Sequence, residues 1–169
     1  METIENKVQK SGLIQLDLAD FKPKQEILTF DIAEILWQGM VLKEKDFRQF
    51  VKEHDWSQYE GKAVGVHCSA DAIVPTWAFM LITAKITEHG GTAIIGSAQE
   101  VEKTLIKETI YAFDLSEHID GRFIIKGCAD IAAPEYAMSE LTKHLMKVAK
   151  SIMYGEPCST VPVYKRPKV

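Results

Sequence analysis

Gly61-Lys62-Ala63-Val64-Gly65-Val66-His67-Cys68, then Pro75-Thr76-Trp77-Ala78-Phe79-Met80-Leu81-Ile82, then Gly90-Gly91-Thr92-Ala93-Ile94-Ile95 is the stretch that decides the fold. Ala63 to His67 is a short apolar run, the pattern of a buried strand. Pro75 suits the first turn of a helix, where the amide that proline lacks has no intrahelical partner. That helix is predicted to run to His89 and to stop at Gly90-Gly91. Thr92 to Ile95 is a second buried strand. The unit is β-α-β.

The same grammar continues downstream. Ser97-Ala98-Gln99-Glu100 is a capping box that opens a helix to about Thr109. Arg122 to Lys126 is a third strand. Pro134 begins a long helix predicted to end at Gly155, with Met138, Leu141, Leu145, Val148 and Ile152 spaced by three and four and Lys143, Lys147 and Lys150 on its wet side. The tail from Pro157 carries three prolines and reads as extended. Upstream, Ser11 to Phe21 alternates, with Ile14, Leu16 and Leu18 on one face. Lys22-Pro23-Lys24 is a turn, and Leu28, Phe30 and Ile32 mark a second strand able to pair with the first. Leu36 to Leu42 reads equally as strand or short helix. Glu44 to His54 puts Phe47, Phe50, Val51 and His54 on one helical face.

The expected fold is α/β: a three-layer-like mixed sheet with a parallel β-α-β-α-β-α core over about residues 62–154 and N-terminal strands added at the edge. No internal repeat and no low-complexity segment is read. Trp77 to Ile82 is apolar without a break, so that helix is expected to be covered all round, by other elements or by a second copy of the chain. A homodimer is the expectation.

A chain of 169 residues suggests one α/β domain, 1–169, with an extended tail over 156–169. Such a chain buries roughly 70% of its unfolded surface, enough for a core without staples. The net charge of −4 gives no pull toward nucleic acid, and Lys165-Arg166-Pro167-Lys168 reads as a solvated tail. Met1 to Lys7 is polar and carries no apolar signal region, and no run approaches the roughly 18 apolar residues of a membrane span. A reducing cytoplasm is expected, where three cysteines act as free thiols or metal ligands rather than a disulfide framework.

Each cysteine lies just past a predicted element. Cys68 and Cys128 follow strands and precede Asp71 and Asp130; Cys158 follows the long helix. In open α/β sheets ligands bind outside the carboxyl ends of the strands, so Cys68 and Cys128 are expected at one edge. Cys158 needs the tail or a partner subunit to reach it. Three readings stay open. Cys68, Cys128 and Cys158 with Asp71 would suit zinc or an iron–sulfur cluster, although paired C-x-x-C spacings are missing. Cys68 alone would be a catalytic nucleophile, its thiolate favoured by the following helix. Or the thiols are small apolar packing groups and the protein is a non-catalytic interaction partner. Asp71 and Asp130 also suit loop ordering before Pro75 and Pro134. His54, His89, His118 and His144 are isolated. Walker, nucleophile-elbow and H-E-x-x-H patterns do not occur.

Cys68-Ser69-Ala70-Asp71-Ala72-Ile73-Val74-Pro75-Thr76-Trp77-Ala78 and Val148 through Pro162, together with Glu44-Lys45-Asp46-Phe47 and His54-Asp55-Trp56-Ser57, resemble a bacterial, Bacteroidetes-type domain-of-unknown-function family, DUF2480. The resemblance covers almost the whole chain. It implies no assigned activity. It does imply a genomic association with iron–sulfur cluster assembly, and so an accessory role in metal or cluster handling with iron–sulfur assembly proteins as partners. U-type scaffolds of that pathway use three cysteines and an aspartate, an inventory this chain shares by analogy.

Overall fold

The computed structural model describes residues 12–168 and has an α/β fold. Met1 to Lys7 and Ser11 lie outside the described residues. The elements are β1 (Leu13–Asp17), β2 (Ile27–Asp31), α1 (Glu44–Glu53), β3 (Ala63–His67), α2 (Thr76–Glu88), β4 (Thr92–Ile95), α3 (Ala98–Ala112), β5 (Arg122–Lys126), α4 (Pro134–Leu145), β6 (Ser151–Glu156) and β7 (Ser159–Lys165).

The expected single sheet is two sheets. One is four-stranded, β1-β5-β6-β7, and the other three-stranded, β2-β3-β4. All neighbours run parallel except the antiparallel β6–β7 hairpin. β1 and β2 do not pair with each other; each takes the edge of a different sheet. The chain divides accordingly into two compact units. The first holds the described residues up to Lys22 and those from Leu105 onward, and the second is Pro23–Thr104.

The segment after α4 departs furthest from expectation, while the tail is extended as expected and forms β7. α4 ends at Leu145, and Ser151–Glu156 is a strand. The three-and-four spacing that reached Ile152 was shared by a strand alternation, in which Ile152 pairs with Phe123 and is fully buried. Long-range pairing with β5 on one side and β7 on the other overrides the local period. Pro162 is tolerated in β7 because that strand is an edge and needs no outward amide there.

Each unit has its own core on the helix-bearing face of its sheet. In the second, Phe30, Val64 and Val66 meet Phe47 and Val51 of α1 and Ala78, Ile82 and Ile86 of α2. In the first, Phe123, Ile125 and Ile152 meet Ile106 and Ile110 of α3 and Ala137, Leu141 and Leu145 of α4. Apart from Phe30 and Ile152, these sets correspond residue by residue. A shift of 59 residues, that from His67 to Lys126, carries Phe47 onto Ile106, Val51 onto Ile110, Val64 onto Phe123, Ala78 onto Ala137, Ile82 onto Leu141 and Ile86 onto Leu145.

The same shift aligns backbone features. It carries β3 onto β5 end to end, the last residue of α1 onto that of α3, and the first residue of β4 onto that of β6. Pro75 falls on Pro134, and Ala70-Asp71 on Ala129-Asp130. Asp55 accepts from the Ser57 amide (3.0 Å) and hydroxyl (2.6 Å), as Asp114 does from Ser116 (2.9 and 3.0 Å). Gly96 and Gly155, equivalent again, have φ of 134° and 118°, open only to glycine at low cost. The first strands match too. Asp17 and Asp31 each end a strand and accept from the amide two residues on, Ala19 at 2.8 Å and Ala33 at 2.9 Å. The chain is therefore an internal duplication, against the reading of no repeat. The first strand of one copy precedes the whole of the other.

Within the single chain, helix α2 is not covered all round. Ala78, Ile82 and Ile86 are buried, but Met80 is 66% exposed. Behind α1, His54 sits among the rings of Phe30, Phe50, Trp56 and Tyr59, with Nε2 3.2 Å from the Tyr59 hydroxyl. Burial lowers its pKa from the ordinary 6.5, outweighing the upward pull of Asp55. The unfolded chain thus takes up a proton first as pH falls. The stability due to neutral His54 is full above 6.5 and is lost below it until the folded pKa is reached. Urea unfolding followed by tryptophan fluorescence is expected to weaken between about pH 7 and pH 5, and to weaken less in His54→Phe.

Candidate functional site

The carboxyl ends of β2 and β3 bring Asp31, His67, Cys68 and Ser69 together. The Asp31 carboxylate accepts from the amides of Ala33 (2.9 Å) and Ser69 (3.0 Å) and from the Ser69 hydroxyl (2.5 Å). His67 Nε2 lies 3.9 Å from Asp31 Oδ2. Desolvation is the largest single influence on Asp31 and acts to raise its pKa. The Ser69 and Ala33 hydrogen bonds and the nearby His67 together outweigh it, so the carboxyl titrates below its ordinary value. Ser69 gives its proton to Asp31 rather than to His67, so the three do not form a nucleophile–base relay. The arrangement fixes the loop after β3.

Cys68 is half-buried, packs against the second unit's core and places Sγ 3.6 Å from the Ala70 carbonyl. The helix expected to activate it starts only at Thr76, beyond the loop 68–75. Asp71 is exposed in that loop.

In the first unit the edge is differently furnished. The duplication sets Lys126 where the second unit has His67, Gly127 for Cys68, Cys128 for Ser69 and Glu156 for Ser97. Cys68 and Cys128 are thus neither equivalent positions nor members of one sheet. A Cβ at Gly127 would lie 2.9 Å from the hydroxyl of Tyr154, the far end of a side chain that is itself 47% exposed. Cys128 is half-buried and lines a cavity of 830 Å³ between the ends of β5 and β6 and helix α4, whose walls include Met138, Thr142, Tyr154 and Val163. Lys126 and Glu156 pair at 3.3 Å on its margin. On the opposite face Asp17, Asp20, Lys126 and Glu156 line a smaller polar cavity of 280 Å³.

Cys158 is exposed in the turn between β6 and β7. Because β6 runs parallel to β5, that turn lies at the same edge as Cys128. The expected pairing is inverted: Cys128 and Cys158 share a sheet edge, and Cys68 belongs to the other sheet. A strand misread as helix hid this. Among the described residues no group of three or more His, Cys, Asp and Glu side chains is placed to hold a metal ion. The set Cys68, Cys128, Cys158 and Asp71 is not assembled there as zinc or iron–sulfur ligands. Asp31 and Ser69 were not singled out by the sequence reading. The signal was present in the matching Asp17-Leu18-Ala19-Asp20 and Asp31-Ile32-Ala33-Glu34 that close the two first strands.

The duplication also relates two grooves. Four residues lining the large cavity, Met138, Ser139, Thr142 and Tyr154, are equivalent to Phe79, Met80, Thr83 and Ile95, which line a 630 Å³ groove between α2 and β4. In the first unit β7 pairs with the outer edge of β6 and contributes Val163 to the cavity wall. In the second, β4 is the last strand of its sheet, and Ile95 is 58% exposed.

Fold and site define a duplicated α/β protein with carboxyl-edge clefts that hold single thiols, hydroxyls and carboxylates. The chain matches the family described as protein of unknown function (DUF2480) over residues 2–166 and belongs to it. No curated protein and no solved structure matches it. Among the described residues no helix is long and apolar enough to cross a membrane.

Proposed function

We propose that the protein is a non-catalytic interaction module that takes an added β-strand along β4, with apolar side chains entering the groove beside α2. One observation carries this reading: equivalent strands of the two copies end differently. The edge of β6 is closed by β7, while the edge of β4 has no strand among the described residues. Strand addition supplies affinity through main-chain hydrogen bonds and specificity through alternate side chains. The groove is suited to the second part, since Glu88 is its one charged wall and is already bonded to Lys85 at 2.7 Å.

Display selection of random peptides on the full chain tests the reading. Selected peptides are expected to alternate apolar residues, to protect the Ala93 and Ile95 amides from exchange, and to lose at least tenfold in affinity for Met80→Lys or Ile95→Lys. Both side chains are largely exposed, so the variants should keep the fold. Peptides that bind both variants as well as wild type would overturn it.

A further inference from the structure

We infer that the strand added to β4 is β4 of a second copy, paired antiparallel about a two-fold axis through Ile94; this rests on the proposed docking edge. The hydrogen-bond pattern fixes the register. The Thr92 amide donates to Lys62 O (2.9 Å) and the Gly96 amide to Val66 O (2.9 Å), so even-numbered residues face β3. In a parallel ladder the intervening residues, Ala93 and Ile95, point their N–H and C=O groups outward. A two-fold at Ile94 sets Ala93 of each copy opposite Ile95 of the other, and each pair exchanges both of its hydrogen bonds. Ile94 then faces its own copy as a non-hydrogen-bonded pair. The two three-stranded sheets join into one.

The side chains are self-complementary on both faces. Ala93 packs against the second unit's core, and Ile95 lines the groove beside α2. Across the axis the small Ala93 meets the large Ile95, filling the groove that Val163 helps to fill in the other unit. Along α2, Met80, Ala84 and Thr87 form a stripe of apolar and small residues that allows the two copies of this helix to approach closely. No like charges meet unpaired, because Glu88 is neutralised by Lys85. The edge also lacks guards against self-pairing. Thr92-Ala93-Ile94-Ile95 has no proline or lysine and no bulge, whereas β7, the exposed edge of the other sheet, has Pro162, Lys165 and a register shift opposite Ile152 and Met153.

Sedimentation equilibrium of the full chain is expected to give a dimer, with Ile95→Lys and Met80→Lys monomeric and unchanged in circular dichroism. With Cys68, Cys128 and Cys158 all changed to serine, Ile94→Cys is expected to cross-link into a covalent dimer under oxidised glutathione, and Thr92→Cys to stay uncross-linked. Should the triple-serine chain fold poorly, the same contrast is read in the native-cysteine background against the unmodified chain. A dimer that survives both lysine variants, or cross-links at Thr92 instead of Ile94, overturns the inference. A monomer at the highest soluble concentration also overturns it. If the selected peptides still distinguish wild type from Ile95→Lys in that case, the docking edge stands and only its occupant is wrong.

Discussion

Gly65→Val is expected to destabilise the second unit by about 3 kcal/mol, although valine is the better strand former by propensity. Gly65 lies in β3, the central strand, where an added Cβ would stand 2.6 Å from the Gly96 carbonyl oxygen and 3.0 Å from Val101 Cγ2. The first contact is backbone and cannot rotate away. Gly96 cannot retreat cheaply either, since its φ of 134° already lies in glycine territory and its amide is tied to Val66 O. The equivalent position in the first unit is Ile124, only 3% exposed, so the duplicated strand itself accepts a large side chain. What forbids one at Gly65 is the turn from β4 into α3. The contrasting variant is Ile124→Val, with an expected cost of about 1 kcal/mol. Against a total stability of about 5–15 kcal/mol the difference is easily resolved. Trp37, Trp56 and Trp77 all lie in the second unit, so tryptophan fluorescence in urea reads Gly65→Val directly. A wild-type midpoint would show that the Gly96 turn yields.

Local chemistry in the sequence was enough for β3, α2, β4 and β5, whose ends follow from Pro75, Gly90-Gly91 and the apolar runs. It was not enough for β6. Val148 and Ile152 satisfy a helical period as well as their true environments, and only pairing with Phe123 decides between them. The duplication was hidden for a related reason. Most of its pairs, such as Val64 with Phe123 or Ile86 with Leu145, keep the apolar character without the residue. The motif that is nearly identical, Asp-x-Ala followed by an acid, recurs at Asp17 and Asp31, where it is out of order with the rest of the repeat. The candidate site suffered most from this. The position of Cys68 and Cys128 just past strands pointed to a shared edge, while two sheets and a one-residue offset separate their roles. The grooves were illegible because each needs a helix and a strand edge at once.

Asp31→Ala is expected to cost about 3 kcal/mol, since hydrogen bonds to a charged group are worth about 1.5–3 kcal/mol each and partial exposure discounts the three that Asp31 accepts. Asp17→Ala, its equivalent, should cost about 1 kcal/mol, the usual value of a lost cap. The asymmetry has a single chemical origin. Where the second unit has Ser69, whose amide and hydroxyl both reach Asp31, the first has Cys128, a weaker donor that lines the groove instead. Ser69→Cys should therefore reproduce part of the Asp31→Ala loss. The pH dependence gives an independent check. The folded Asp31 pKa lies below the ordinary 3.8, so its contribution is complete above that value and is lost as pH falls through the folded pKa. The gap in urea midpoint between wild type and Asp31→Asn should be constant near neutrality and close in acid. Equal costs for Asp17→Ala and Asp31→Ala would sink the argument. An unequal pair would mean that one copy of the duplication has committed its strand-end carboxylate to holding a loop. The other copy would then use Asp17 as a cap on the Ala19 amide, at the wall of its polar cavity.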